Sequence, residues 1–320
     1  MKKKVLSVSR PSRGIPVISE LYRNKTLYMM AFPAILWFFI FSYLPIVGVY
    51  YAFTNSNFID GLFGSPFVGF KNFRFLFWGG WKAQVWTLTK NTVLYNLVFI
   101  FLGNIAHCFV AILITELTQK RFRKFTQSAL LLPHFVSYVI VGTIAYNLFS
   151  YEFGLFNNLR DSIGLERLNL YATPSAWPLI IIIFHLWKGM GYGTVVYIAA
   201  ITGIDQEIYE AARIDGCGIF GEIRHITLPL LKPTFIMLVL FALGGIVRGQ
   251  FELFYQLVGR NGQLYSTTDI LDTYIYRALT VNFNIGLSTA AGLYQSVFGL
   301  VTVLVSNLII RKSNPEYALF

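Results

Sequence analysis

The sequence predicts an all-α integral membrane protein, a helical bundle of six transmembrane helices, and three observations carry that prediction. Of its 320 residues, 55% are hydrophobic and only 13% charged, against roughly 25% charged in a soluble domain. Mean hydropathy is +0.58. Six apolar stretches, at 27–53, 92–117, 125–150, 175–203, 229–258 and 286–310, each reach the length of about 20 helical residues that crosses ~30 Å of hydrocarbon.

The first stretch is too long for the apolar region of a signal peptide, and no small-residue cleavage pattern follows it cleanly, so it reads as a retained span. Pro33, Pro45, Pro133, Gly142, Gly244 and Gly245 fall inside stretches read as spans, a composition membrane helices tolerate when neighbours satisfy the freed backbone groups. Residues 54–90 are rich in Phe, Trp and Gly and predict a packed cap. Residues 259–285 predict a turn followed by an amphipathic helix. Either cap receives an outside partner or simply closes the bundle. Cys108 lies in an apolar stretch and Cys217 in a polar one, different depths that rule against a disulfide.

Basic residues orient the bundle. Sixteen Lys and Arg fall on the side of both tails, the 118–124 link and the 204–229 loop with Lys232 just beyond it, against eight on the other side, much of it in longer loops. That asymmetry predicts cytoplasmic N- and C-termini. Residues 1–26 are then a basic cytoplasmic tail, 27–310 the six-span domain, and 311–320 a second cytoplasmic tail. The formal charge of +11 is explained by topology, and no basic patch interleaved with aromatics points to nucleic acid.

The loop at 204–229 is the most informative segment. Ile208, Tyr209, Ala211, Ala212 and Ile214 form an apolar stripe among Asp205, Glu207, Glu210, Arg213 and Asp215. Gly216 is placed to end that helix, and Pro229 suits the first turn of the next span. The pattern predicts a short amphipathic helix, rigidly joined to span five, that lies in a partner's groove. Glu210-Ala211-Ala212, then Gly216, then Ile226-x-Leu228-Pro229 resembles the EAA signature of permease subunits of ATP-binding-cassette importers. Phe251–Gln256 and Thr267–Tyr274 resemble the polysaccharide and oligosaccharide branch of the maltose-type family. The likeness covers nearly all of the chain after residue 25, with Cys217 standing where Ala is usual.

The resemblance implies a type I importer permease fold and an ATPase-coupling role for Glu210, Ala211, Ala212, Asp215, Gly216, Ile226, Leu228 and Pro229. It also implies a second, different permease chain, two ATP-binding subunits, an extracellular or periplasmic solute-binding protein and an oligosaccharide solute, in a bacterial cell membrane. The chain has no Gly-x-x-x-x-Gly-Lys-Ser/Thr phosphate cradle, so ATP and Mg belong to the partner subunits and no cofactor is expected in this chain.

His185, Lys188, Gly189 and Tyr192 share one helix face at i, i+3, i+4 and i+7. A lysine facing lipid at mid-span costs at least about 2.5 kcal/mol, so the face turns inward, with a buried acid as one partner for Lys188. Gly189, Gly191 and Gly193 predict either a weak point in that helix or a close packing face. The resemblance places His185, Lys188, Gly189, Tyr192, Val247 and Gln250 on the sugar path, where Lys188 points to a polar or anionic solute. Tyr255 is a candidate for stacking on a sugar ring. Arg248 and Glu252 suggest an i, i+4 pair.

Two other classes fare worse. A self-sufficient ion-driven carrier needs carboxylates at mid-membrane, and only Glu116 and Glu252 occur in the spans, both near ends. A membrane hydrolase lacks its motifs: His107, His134 and His225 are isolated, and there is no His-Glu-x-x-His.

Overall fold

The computed structural model describes residues 23–56, 61–76 and 80–313; most of the basic N-terminal tail and the residues from 314 onward lie outside the described residues. The chain divides into two units, Met1–Tyr50 and Tyr51–Phe320. In the first, helix α1 (Lys25–Phe38) continues through a π turn at Phe39–Tyr43 into a 3-10 helix that starts at Leu44. The looser turn sits just ahead of Pro45, whose ring crowds the carbonyl four residues back.

The second unit holds the remaining helices. Helix α2 (Gly80–Thr115) is 36 residues long and begins about three turns before the predicted span at 92. Those turns survive because tertiary contacts hold them. Val85 and Leu88 are buried, Thr89 meets the Tyr294 hydroxyl at 3.0 Å, and Asn91 donates to the Asp269 carbonyl at 3.0 Å.

The third predicted span is broken. Helix α3 (Lys120–Phe135) and helix α4 (Tyr138–Phe149) meet at 93°. Pro133 removes an N–H from the last turn of α3, Val136 turns extended, and the Ser137 hydroxyl caps α4 by accepting from Ile140. Beyond α4, helix α5 (Leu155–Ser162) sits in a loop stapled by Arg167, which bonds Asp161 and the carbonyls of Tyr151 and Glu152. Helix α6 (Trp177–Thr202) runs unbroken through the alternating glycines.

Helix α7 (Gln206–Ile214) leads through Ile219–Glu222 and a π turn at Ile223–Thr227 into helix α8 (Leu228–Leu243). The predicted fifth span ends there. Residues 244–250 leave the helix, and helix α9 (Phe251–Val258) resumes as a separate element. Arg248 therefore lies within the break and Glu252 in the helix after it, and the i, i+4 pair predicted between them does not form. Helix α10 (Leu271–Thr280) provides the amphipathic helix expected after Gly259, and helix α11 (Ile285–Ser313) is the last span.

Three apolar clusters hold these elements. Tyr95, Phe99, Trp177, Ile181, Leu253 and Phe254 join α2, α6 and α9. Phe73, Leu88, Val239, Val247, Tyr274 and Ala290 join α2, α8, α10 and α11. Cys108, Ala111, Tyr197 and Leu231 close the end nearest α7. At the opposite end, Asp269 takes two hydrogen bonds from Arg277, at 2.8 and 2.6 Å, and one from Thr273 at 2.7 Å. Leu271 N–H donates to Thr92 at 3.0 Å. The buried Asp269 carboxylate, paired with Arg277 and bonded by Thr273, meets the condition under which a buried charge is tolerated.

Candidate functional site

Two regions gather the candidate residues. The first is α7 and its return to α8. Asp205 caps α7 by accepting from Glu207 N–H at 3.1 Å. Gly216, at φ +81°, ends it with paired bonds from Cys217 N–H to the Ala212 carbonyl and from Gly216 N–H to Arg213, a left-handed cap that disfavours any side chain at this position. The helix is then tied to the start of span five. Arg213 forks onto Glu222 at 2.8 and 3.1 Å, and the Tyr209 and Thr227 hydroxyls meet at 2.9 Å in the interior. The π turn at 223–227 lies where the Pro229 ring crowds the His225 carbonyl.

Behind this hairpin, Glu116 faces Arg213, Glu222 and Arg123 across a cleft of ≈ 170 Å³. The Glu222 hydrogen bond raises the Arg213 guanidinium further. On the outer face, Glu210, Ala211, Asp215 and Gly216 are exposed. Ile214 and Phe220 are the most exposed side chains there, at 87% and 85%, two apolar prongs that no described residue covers.

The second region is a cavity of ≈ 390 Å³ lined by His107, His134, Tyr138, His185, Lys188, Gly189, Tyr192, Gly193 and Gln250. Lys188 is satisfied by backbone, not by the buried acid considered for it. Its ammonium donates to the carbonyls of Pro133, His134 and Val136 at 3.4, 2.8 and 2.5 Å. These are carbonyls released by the break after α3, and a cation is favoured at such a helix C-terminus. The ammonium also lies 4.7 Å above the Tyr138 ring. His185 stacks on Phe99 at 3.8 Å and His134 on Tyr192 at 4.9 Å.

Five of the path residues thus converge: His185, Lys188, Gly189, Tyr192 and Gln250. Val247 does not join them. It is buried within the span-five break and lines a separate cavity of ≈ 510 Å³ with Gly244, Gly245, Arg248 and Gly249. Tyr255 lines neither cavity and packs on Phe251 and Tyr276. Sequence reasoning passed over His107 and His134 as isolated. They reach the cavity from α2 and α3, and no spacing within one helix signals that meeting. Gly193 is the partial clue, because a Cβ there would fall on the His107 ring.

An all-α, multi-pass bundle whose polar cavity sits among its spans, with a braced amphipathic helix outside them, defines a membrane transport subunit. Residues 15–314 match the family described as binding-protein-dependent transport system inner membrane component, and the chain belongs to that family. Its architecture is the type I permease fold of ATP-binding-cassette importers; it is a permease, not an enzyme, and a self-sufficient ion-driven carrier is not supported.

The chain is 32% identical to Protein LplB of Bacillus subtilis (strain 168), over 98% of each chain. It is also 32% identical to the polygalacturonan/rhamnogalacturonan transport system permease protein YteP of the same organism, covering 94% of this chain and 92% of that one. The crystal structure of a bacterial ABC transporter involved in the import of the acidic polysaccharide alginate contains a chain that superposes with a TM-score of 0.82. That chain is 33% identical, with 93% of this chain and 99% of that one covered.

Proposed function

We propose that this chain is one half of the translocation pathway of an oligosaccharide importer in a bacterial plasma membrane, with both termini cytoplasmic. A second, different permease chain supplies the other half. Two ATP-binding subunits hold ATP and Mg, and a solute-binding protein delivers cargo from outside. In this reading α7 lies in the groove of an ATP-binding subunit. Glu210, Ala211, Ala212, Asp215 and Gly216 form the docking face, and Ile226, Leu228 and Pro229 join it to span five. Closure of the ATPase pair moves α7, and the Arg213–Glu222 and Tyr209–Thr227 ties carry that movement into α8.

The observation that carries the proposal is this double tie: a surface helix bonded at two points to the foot of a span moves with it as one body. The solute passes the cavity of His185, Lys188, Gly189, Tyr192 and Gln250, and Val247 and Tyr255 shape the path from behind. No carboxylate lines that cavity, and relatives named for acidic polysaccharides make short uronate chains the first probes to try, beside neutral malto-oligosaccharides.

Gly216→Val tests the coupling role. A β-branched residue at positive φ costs about 1–2 kcal/mol, a local strain the bundle survives. The variant is expected to accumulate in the membrane yet lose co-purification with the ATP-binding subunits and solute-stimulated ATP hydrolysis. Retention of both overturns the assignment of α7.

A further inference from the structure

The break in span five is held on one side and used on the other. Asp272, on α10, accepts a hydrogen bond from Gly249 N–H at 2.7 Å. The Gln295 amide, on α11, bridges Asp272 at 3.1 Å and the Val247 carbonyl at 2.8 Å. Non-helical backbone at membrane depth needs such partners, because lipid offers none. The fit at this point leaves no slack: a Cβ on Gly249 would fall on the Asp272 carboxylate and the Ile270 side chain.

The next residue, Gln250, turns away from Asp272 and lines the ≈ 390 Å³ cavity together with His185. His185 in turn is stacked on Phe99. One peptide unit therefore separates the pinned amide from the cavity wall. Asp269, three residues before Asp272, is consumed by Arg277 and Thr273 and fixes the base of α10 itself, so the carboxylate that holds Gly249 is borne on a rigid mount.

We propose that Asp272 is a positioning residue of the solute path: it never lines the His185 cavity, but by holding the Gly249 amide it sets where Gln250 meets the solute. This rests on the permease reading above. Asp272 acts as a hydrogen-bond acceptor, so its geometry matters more than its charge, and Asn is the conservative replacement because its oxygen still accepts from Gly249.

The test is uptake of a labelled short oligogalacturonate and, in parallel, a labelled malto-oligosaccharide by the cells that make this protein, with the chromosomal copy replaced by each variant. Membrane abundance is measured alongside. Asp272→Ala is expected to raise the half-saturating concentration about tenfold, the scale of one lost charged hydrogen bond, with Asp272→Asn restoring most of it. Gln250→Ala gives a similar rise, and the double variant Asp272→Ala/Gln250→Ala is no worse than Gln250→Ala alone, because both remove the same contact.

Additive losses in the double variant, Asn as impaired as Ala, or an Asp272→Ala variant that changes only abundance or maximal rate each overturn the positioning role. Failure of the unaltered cells, relative to a deletion of this chain, to take up either probe through this protein counts against the oligosaccharide reading itself, a different result from any of these.

Discussion

Spans four and five are both rich in glycine near their middle, yet one stays helical and the other breaks. In α6, Gly191 and Gly193 sit where a Cβ would fall on the Leu130 backbone and on the His107 ring. Each missing side chain is replaced by a neighbour, so the glycines draw α2 and α3 against an unbroken helix. In span five, Gly244 and Gly245 border on their own preceding turn, with Phe241 and Ala242 carbonyls nearest. The chain leaves the helix there and is caught by Asp272 and Gln295. Glycine supplies permission in both places; the surroundings decide between close packing and unwinding.

Three substitutions break or sharpen that contrast, beginning with the largest effect. Gly191→Leu drives a side chain into the α3 backbone, where no flexible group can yield. A loss of about 3 kcal/mol or more, beyond ordinary overpacking, is expected to appear as failure to accumulate in the membrane; normal levels would show that α3 and α6 are not closely packed.

Lys188→Met comes next. It strands the carbonyls of Pro133, His134 and Val136 at a cost of about 1–3 kcal/mol. Hydrogen exchange should rise at the bend between α3 and α4 while α6 stays protected, and an unchanged bend would remove Lys188 as its clasp.

The smallest effect is expected from Gly245→Ala. A Cβ there meets only the Ala242 carbonyl, at 3.6 Å. The change should therefore lie within about 1 kcal/mol, the scale of helix propensity, measurable as a small shift in thermal unfolding. A large loss would mean that the break needs glycine itself as well as its partners.

The same contrast marks what was legible beforehand. The Glu210-Ala211-Ala212…Gly216 helix was readable because its determinants are local: an Asp cap, an apolar stripe and a glycine at the stop. Span three misled because Pro133 is compatible with a kinked or a broken helix, and the choice fell to Lys188, 55 residues away. The cavity was half legible. The 185–192 face follows from helical periodicity, whereas His107 and His134 arrive on other elements, and Val247 is turned into a different cavity by a break that periodicity does not foresee.

By itself, the sequence determined the class, the number of apolar stretches and the amphipathic knob before span five, since hydrophobic length, capping and turn chemistry act over a few residues. Tertiary structure alone decided where spans three and five stop being helices and which side chains meet at mid-membrane. In lipid every freed backbone group must find a protein partner, and those partners, Lys188 for one break and Asp272 with Gln295 for the other, are distant in the chain and become neighbours only when the bundle assembles.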